Sequence, residues 1–358
     1  MKVKVRPFAS TDLEGVARLR PLVYNRPEVS DTLWQSSIWD WLGGHPLASN
    51  VHRWVLDAGG EVVGHLAALP QFYRIDGRRV VAHTPADYGV LPQYGFHAIS
   101  LMRTFFRTCE NCVACDTVPA VIGVETRLGA AEVGKLQFAA KVWDISGVPH
   151  LPVAIPMPVQ QALNWGLRRI DAALNSSRLD DNFEEDLRAE VLEEFDEFFD
   201  QLFESVAAAV PCVPEKDAAF LRWRYGPHSP QASATILGVR DQERLLGYAV
   251  LWATVSGDDG YLLDLTTLPR RHAVARLLLR ESTRQLRRMG VRSIRYQFVE
   301  SSTSPLTKDV WRLGFFLSNK RRATLLAKFT DLGLHTAALD LANWSYTFGD
   351  GEATFWVR

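Results

Sequence analysis

One supersecondary pattern occurs twice in the sequence, and this repeat constrains the fold more than any other feature. Each copy has two short apolar strands joined by a turn, a third strand that ends at Leu-Pro, and then an amphipathic helix. The first copy spans residues 54–108 and the second spans residues 235–289. A pattern that returns at long separation predicts two similar domains.

Length, composition and charge fit this interpretation. The chain has 358 residues, enough for two domains that each bury a core, and its 47% hydrophobic and 23% charged residues are typical of a globular protein. The net charge of −1 offers no general attraction to nucleic acid or to a membrane surface. No segment reaches the apolar length of a membrane helix, and the first residues lack the apolar stretch of a signal peptide. We therefore expect a cytoplasmic protein with no membrane partner.

Breaks in the pattern predict the domain limits. Repeated prolines follow residue 148, and an amphipathic helix is expected over 159–174. We predict an N-terminal domain at 1–150, a helical linker at 151–187 and a C-terminal domain at 188–358. At the end of the first domain we expect a strand over 119–124, a helix over 128–135 and a strand over 140–145.

Particular motifs resemble a known family. The segment Val5-Arg6-Pro7 followed by Asp12-Leu13, the turn and strand around Gly64, and Val90-Leu91-Pro92 before a helix are similar to the Gcn5-related N-acetyltransferase (GNAT) fold. The second copy repeats the later landmarks. Phe-Leu-Arg-Trp-Arg-Tyr at 220–225 and the segment 342–350 resemble tandem GNAT-like proteins. The resemblance implies a mixed α/β (α+β) fold with two GNAT-like domains, each a mostly antiparallel mixed sheet flanked by helices.

The resemblance also implies a donor site after the third strand. In GNAT enzymes a loop with Gln or Arg and two small residues gives its amides to the pyrophosphate of coenzyme A. The first loop keeps one glycine but is one residue short, whereas the second loop, 269–275, has no glycine. We therefore place the donor site in the first domain. Its expected residues are Val90, Gln93, Gly95, Phe96, His97 and Ala98.

A general base is expected on or near the third strand of the first copy. Alternation along a strand places His83 and Asp87 on one face, where they could take a proton from an ammonium. The alternative is that Asp87 anchors the loop and His83 packs with a satisfied hydrogen bond. The candidate catalytic residues are Asp87, His83, Glu125 and Tyr88. Asp264, Thr266, Tyr296 and Glu300 occupy similar places in the second copy.

Tryptophans lie where the family covers its acceptor. Trp34, Trp39 and Trp41 offer large rigid area and one N–H donor each, which suits a flat or apolar acceptor. Equally, these side chains could close the gap between a helix and the sheet.

A basic stripe on the second long helix suggests another partner. It could hold a phosphodiester backbone such as that of tRNA, or it could be a solvated face or pair with the acidic segment 178–204. Its members are Arg270, Arg271, Arg276, Arg280 and Arg284.

Cys109, Cys112 and Cys115 have a regular spacing that is compatible with a metal or disulfide site. Packing at a helix-to-strand junction is the simpler interpretation, and no metal is expected.

The leading hypothesis is an N-acyltransferase, in which an amine of a small metabolite or sugar attacks an acyl group carried by acyl-CoA, acetyl-CoA being the simplest donor. One alternative is a GNAT-fold transferase that uses aminoacyl-tRNA, or an acyl carrier protein, as the donor carrier. A second alternative is a degenerate, non-catalytic binding protein.

Overall fold

The structure is a computed structural model, and it describes residues 3–24, 32–147, 155–176, 187–242 and 244–357. The acceptor-covering segment 25–31, the prolines at 149 and 152 and the acidic stretch 178–186 lie outside these residues. The helices are α1 Leu13–Tyr24, α2 Thr32–Gly43, α3 Ala98–Thr108, α4 Pro119–Arg127, α5 Met157–Ser176, α6 Glu197–Ala207, α7 Ala218–Tyr225, α8 His272–Arg288, α9 Thr307–Arg312 and α10 Leu332–Ala338.

The strands of the first half are β1 Val3–Pro7, β2 His52–Ala58, β3 Glu61–Ile75, β4 Arg78–Val90, β5 Cys112–Asp116, β6 Ala131–Lys135 and β7 Gln137–Val142. Those of the second half are β8 Ala189–Leu192, β9 Cys212–Pro214, β10 Thr235–Asp241, β11 Arg244–Ala253, β12 Asp259–Thr267, β13 Ser293–Phe298, β14 Phe316–Leu317 and β15 Thr324–Lys328.

These strands form two mixed sheets. The first has the order β1-β2-β3-β4-β5-β15-β6, with β9 added to β3, and the second has the order β14-β7-β13-β12-β11-β10-β8. All neighbouring pairs are antiparallel except β4 with β5 and β12 with β13, which are parallel. The predicted fold class, two GNAT-like mixed sheets flanked by helices, is confirmed.

The two sheets exchange one strand each. Strand β7 follows β6 after the single buried residue Leu136, yet it pairs with β13 in the second sheet. Reciprocally, β15 lies between β5 and β6 in the first sheet. The predicted limits at 150 and 188 remain predictions, but residues 137–142 and 324–328 each belong to the sheet of the other half. Neither sheet is complete without the other half of the chain.

Two predicted elements at the end of the first half are wrong. Residues 119–124 belong to helix α4 and not to a strand, and residues 131–135 form strand β6 and not a helix. The β-branched residues Val121, Ile122 and Val124 favoured a strand. Pro119 at the first turn and Gly129, with φ of +103°, just after the last turn are helix boundaries that outweigh this run.

Apolar faces of the helices hold the layers together. Helix α8 turns Val274, Leu278, Leu279 and Leu286 toward β11 and β12, at the spacing of one helical face. Helix α3 likewise buries Leu101, Met102 and Phe105 in the first half. Among the described helices, none is both long and apolar enough to cross a bilayer.

Candidate active site

The first half contains an opening between β4 and β5. These parallel strands are paired at one position only, His83 opposite Cys112, and then separate. On the other side of β4 the register with β3 shifts, so that Asp87 and Tyr88 stand opposite the single residue Leu66. Such a bulge interrupts the ladder and turns backbone groups out of it. The end of β4 therefore has one edge that β5 does not cover.

The bulge fixes Asp87 in a buried ion pair. Asp87 has a left-handed backbone, with φ of +51°, and its carboxylate pairs with the Arg20 guanidinium from α1. The His65 ring nitrogen Nδ1 lies 3.1 Å from the second carboxylate oxygen. Both side chains of the Arg20–Asp87 pair are buried. Asp87 is thus an orienting anion, held by a cation and an imidazole.

The C-terminal segment reaches the same place. Residues Glu352–Trp356 form a short 3₁₀ helix that packs on β4. The Arg20 guanidinium lies 3.8 Å from the centre of the Trp356 ring, and the Trp356 indole nitrogen donates to the Glu352 carboxylate at 2.5 Å. A chain of contacts therefore links Asp87 to Glu352 through Arg20 and Trp356.

Carboxyl groups from three different elements influence one another's ionisation here. Asp116 ends β5, Glu125 lies on α4 and Glu352 comes from the C-terminal segment. Burial, and then the charges of Asp116 and Glu352, raise the pKa of Glu125 to about 8. Burial also raises the pKa of Glu352 to about 8, with Asp87 and Asp116 acting in the same direction. Glu125 and Glu352 therefore titrate near neutral pH, the range in which a group can exchange protons during catalysis.

Glu125 is completely buried, and neither of its carboxyl oxygens has a hydrogen-bond partner among the described residues. Tyr88 is half-buried close by, and the charge of Glu125 adds to burial in raising the pKa of the Tyr88 hydroxyl to about 12. The predicted residues Asp87 and Tyr88 thus lie at the bulge beside the opening, and the buried Glu125 acts electrostatically on Tyr88.

His83 lies apart from this group. Its Nε2 is 3.1 Å from the Asn50 carbonyl oxygen, and its ring packs beside His52. The bulge at Asp87 interrupts the alternation that placed the two side chains on one face. His83 thus makes one hydrogen bond, through Nε2, while its buried Nδ1 has no partner among the described residues.

The predicted donor loop is open to solvent. Pro92–His97 form a 3₁₀ helix that leads directly into α3, with Gln93, Gly95 and Phe96 exposed. A Cβ atom at Gly95 would meet no atom within 4 Å. Among the described residues, none accepts a hydrogen bond from the Gln93 amide. Backbone donors at the start of a helix are well suited to an anion.

The three tryptophans have different surroundings. Trp39 contacts His65 and Trp356, and the Arg53 guanidinium lies 3.6 Å from its ring, so it borders the opening. Trp34 is half-buried on α2 and packs against the buried apolar cluster that Trp39 also contacts. Trp41 instead stacks on Trp223 of the second half, with ring centres 4.5 Å apart. Each of these two indoles donates to the carbonyl of the other residue, so Trp41 joins the two halves.

The corresponding opening in the second half is filled by the chain itself. The amides of Thr267 and Arg270 donate to the carbonyls of Thr303 and Ser302, at 3.0 and 2.6 Å. These amides correspond to those of Val90 and Gln93. The loop after β13 therefore occupies the backbone donors that a pyrophosphate would need.

The C-terminal segment completes this closure. Residues Phe348–Asp350 pack against β12 and β13, and a Cβ atom on Gly349 would lie 2.8 Å from the carbonyl oxygen of Leu263. Beneath this turn the Lys216 ammonium lies 3.1 Å from both Asp264 and Asp350. All three of these charged side chains are buried.

The basic stripe is engaged within the protein. Arg276 and Arg280 line a cavity of about 750 Å³ between α5, α8 and α9. Arg284 pairs with Glu281 at 3.3 Å, and the neighbouring Arg287 pairs with Asp171 of α5 at 2.5 Å. Arg270 and Arg271 are exposed at the start of α8. A nucleic-acid role for these arginines remains an untested hypothesis.

All four cysteines are free thiols. Cys109, Cys112 and Cys212 are buried, and Cys115 is half-buried. In the part of the chain that the structure describes, no group of three or more His, Cys, Asp or Glu residues is arranged to hold a metal ion.

Sequence reasoning missed three residues of the site: Arg20, Asp116 and Glu352. An arginine among the apolar positions of α1 is a signal for Arg20, because a buried cation requires a partner. Glu352 carried no such signal, since only the tertiary course of the C-terminal segment brings it to β4.

No protein-family model and no curated protein sequence matches the chain. Solved structures do. A tandem GNAT protein from the clavulanic acid biosynthesis pathway is 15% identical, covers 91% of this chain and 98% of its own, and has a TM-score of 0.54. The N-myristoyltransferase of Saccharomyces cerevisiae, solved with bound myristoyl-CoA, is 10% identical over 91% of this chain and 79% of its own, with a TM-score of 0.60.

A GCN5-related N-acetyltransferase from Anabaena variabilis ATCC 29413 is 14% identical over 92% of this chain and 74% of its own, with a TM-score of 0.56. At these identities the likeness concerns the fold, and it extends over both halves. With its two bulged and splayed sheets, the chain is a tandem protein of the GNAT fold.

Proposed function

We propose that the protein is an N-acyltransferase with one working site per chain, in the opening between β4 and β5. One observation carries the proposal: the first opening keeps an uncovered strand edge and a loop amide, that of Gln93, with no acceptor among the described residues, whereas the second opening is filled by the chain. The bound myristoyl-CoA of the yeast neighbour supports a coenzyme A thioester as the donor.

In this proposal the donor lies along the free edge of β4. The Gln93 amide and the 3₁₀ turn that leads into the start of α3 hold its pyrophosphate, because oriented N–H groups stabilise negative charge. The thioester then points to the bulge at Asp87 and Tyr88, beside the carboxyl cluster. The acceptor amine approaches from the side of Trp39 and Trp356.

Glu352 is the base in this proposal. An amine must lose a proton when it attacks the thioester carbonyl, and a carboxylate is a suitable acceptor when its pKa lies near the working pH. The pKa of Glu352, about 8, meets this condition. Asp87 is already occupied by Arg20 and His65, and it holds Arg20 against the Trp356 ring.

The second half has a supporting role. Its C-terminal segment fills its own opening at residues 347–350 and, two residues later, provides Glu352 to the first half. The acceptor is a molecule with an amine; the acyl length and the identity of the acceptor are the questions for a substrate panel.

Isothermal titration of the full chain with acetyl-CoA and with longer acyl-CoAs tests the donor site. We expect one molecule bound per chain. Binding should add about 2.7 kcal/mol to the free energy of unfolding at a donor concentration 100 times the dissociation constant. Two bound molecules per chain would refute the assignment of a single site, and no binding of any acyl-CoA would refute the donor class.

A panel of primary amines, with release of free coenzyme A followed by chromatography, tests the reaction. The Glu352→Gln variant should bind the donor as the unchanged protein does but transfer acyl groups at least 100-fold more slowly, the range expected for loss of a general base. Glu132→Gln, an exposed glutamate on β6, is the matched control. A Glu352→Gln variant with full activity would remove Glu352 from the mechanism.

A further inference from the structure

We infer that Glu125 is the general acid of the reaction, the group that gives a proton to the departing thiolate. This inference rests on the proposed acyl transfer and assigns a second carboxyl of the same opening. It follows from the position of Glu125, from its burial and from its unused hydrogen-bonding groups.

The position of Glu125 suits the leaving group. Helix α4 follows β5 and packs against α3, whose start would hold the donor pyrophosphate. A donor that runs from α3 into the opening therefore brings its sulfur between β4 and β5, the strand on which α4 packs. Glu125 is the buried carboxyl on α4, and Glu352 reaches the opening from the C-terminal segment. Glu125 and Glu352 thus approach the opening from different elements, and each would serve one of the two proton transfers.

The carboxyl of Glu125 is also available for a new hydrogen bond. It is 0% exposed, and neither oxygen makes a hydrogen bond with a described residue. An isolated buried carboxylate is unfavourable, so the group is held as the neutral acid, whose O–H is a donor without an acceptor. A thiolate forming beside it would be that acceptor.

The surroundings of Glu125 favour the protonated form. The groups that face it are Asp116 and Glu352 as carboxyls, the Tyr88 hydroxyl on β4, and the thiols of Cys112 and Cys115 on β5. These five groups are neutral or negative. With a pKa of about 8, Glu125 is mainly protonated at neutral pH, whereas the Glu352 carboxylate accepts a hydrogen bond from the Trp356 indole, which favours its ionised form.

The step is balanced. The amine nitrogen forms a bond to the thioester carbon, the carbon–sulfur bond breaks with its electron pair on sulfur, and the proton of Glu125 moves to that sulfur. The amine proton goes to the carboxylate of Glu352. The products are the amide and free coenzyme A thiol, and solvent exchange restores both carboxyls.

Variation of the leaving group tests this role. Hydroxylamine at a fixed concentration serves as the nucleophile, with acetyl-CoA or S-(4-nitrophenyl) thioacetate as the acetyl donor, and acetohydroxamate is measured. The nitrophenyl thiolate leaves without a proton, whereas the alkyl thiolate of coenzyme A requires one. We expect Glu125→Gln to slow the reaction of acetyl-CoA by about 100-fold, the lower end for general acid catalysis, and that of the aryl thioester by less than 3-fold.

Glu125→Asp, which keeps the acid but withdraws it by one methylene group, should give an intermediate loss on acetyl-CoA alone, and it carries the test if the glutamine variant does not fold. Equal losses on both donors would reduce Glu125 to a structural residue, and no loss on either would remove it from the reaction. If the unchanged protein transfers an acyl group from no acyl-CoA of the substrate panel, the proposed function itself fails.

Discussion

The openings in the two halves of this protein have the same strand architecture, but the first is uncovered and the second is filled by the chain. In each half a parallel strand pair separates next to a bulge, at Asp87 and Tyr88 in β4 and at Leu263 in β12. The first opening leaves the Gln93 amide without an acceptor among the described residues, and Glu125 and Glu352 there have pKa values raised to about 8. The second donates its amides to residues 302 and 303 and buries Lys216 between two aspartates.

The difference shows how a repeated fold can divide its tasks. A buried ammonium between two carboxylates, with a glycine turn above it, is a stable filling that leaves no space for a ligand. The same C-terminal segment then continues into the first half and places Glu352 there. With the exchanged strands β7 and β15, this makes the second half a structural part of the first site. Deletion of the second half would therefore remove β15 and Glu352 from the first.

The largest expected effect concerns the filled opening. Lys216→Met leaves Asp264 and Asp350 buried without their cation, which should lower the free energy of unfolding by about 3 to 5 kcal/mol. Urea denaturation measures it, with Lys135→Met on the exposed surface of β6 as the control. Equal stability of the two variants would mean that the buried triad does not hold the second half closed.

The next effect concerns the open loop. Gly95→Val introduces a side chain where the structure has free space, so the fold should be kept while the donor phosphates lose their approach to the backbone. We expect acyl-CoA affinity to fall by at least 100-fold, or about 2.7 kcal/mol. The control is Gly166→Val on α5, where a Cβ also has free space. Unchanged affinity in Gly95→Val would move the donor site away from this loop.

The third prediction compares alanine substitutions of one glycine at each opening. Gly349→Ala brings a Cβ atom to 2.2 Å from the Tyr225 hydroxyl and 2.8 Å from the Leu263 carbonyl oxygen, whereas Gly95→Ala meets nothing. Overpacking of this kind should destabilise the protein by about 1 to 3 kcal/mol, and the Gly95 change by much less. Thermal unfolding of the two variants side by side measures the difference. Similar midpoints would show that the second opening has room for a ligand.

Much of the fold could be predicted from the sequence because both copies carry strong local patterns. The strands at 54–90 and 235–267 and the helices α3, α5 and α8 follow from apolar periodicity and turn residues. Helix α4 was not predicted, because its β-branched residues favour a strand although Pro119 and Gly129 mark helix ends. The strand exchange could not be predicted, since residues 131–135 were expected to be helical and only Leu136 separates β6 from β7.

The candidate site was less predictable for a physical reason. Asp87, Tyr88 and Glu125 could be named from the chain because they lie in or near one repeat. The chemical roles of these residues depend on partners that are distant in the sequence. Arg20 from α1 forms an ion pair with Asp87, and Glu352 from the C-terminal segment helps to raise the pKa of Glu125. Alternation along β4 also failed at the bulge, so the pairing of His83 with Asp87 did not form. Such long-range contacts leave no local pattern.

The smallest effect is the contribution of Glu125, in the first opening, to the pH dependence of the free energy of unfolding. The pKa of Glu125 is about 8 in the folded protein and near its ordinary value of 4.5 in the unfolded chain. Between these values the folded state holds the extra proton, so the free energy of unfolding falls as pH rises from about 5 to about 8. Glu125→Gln has no proton to lose, and between pH 5 and pH 6.5 it should flatten this fall by about 1 to 2 kcal/mol. Urea denaturation at pH 5 and pH 6.5 gives the difference, with Glu132→Gln as the exposed control. A fall of the same size in both variants would mean that Glu125 is ionised in the folded protein, and the proton donor of the first opening would have to be another group.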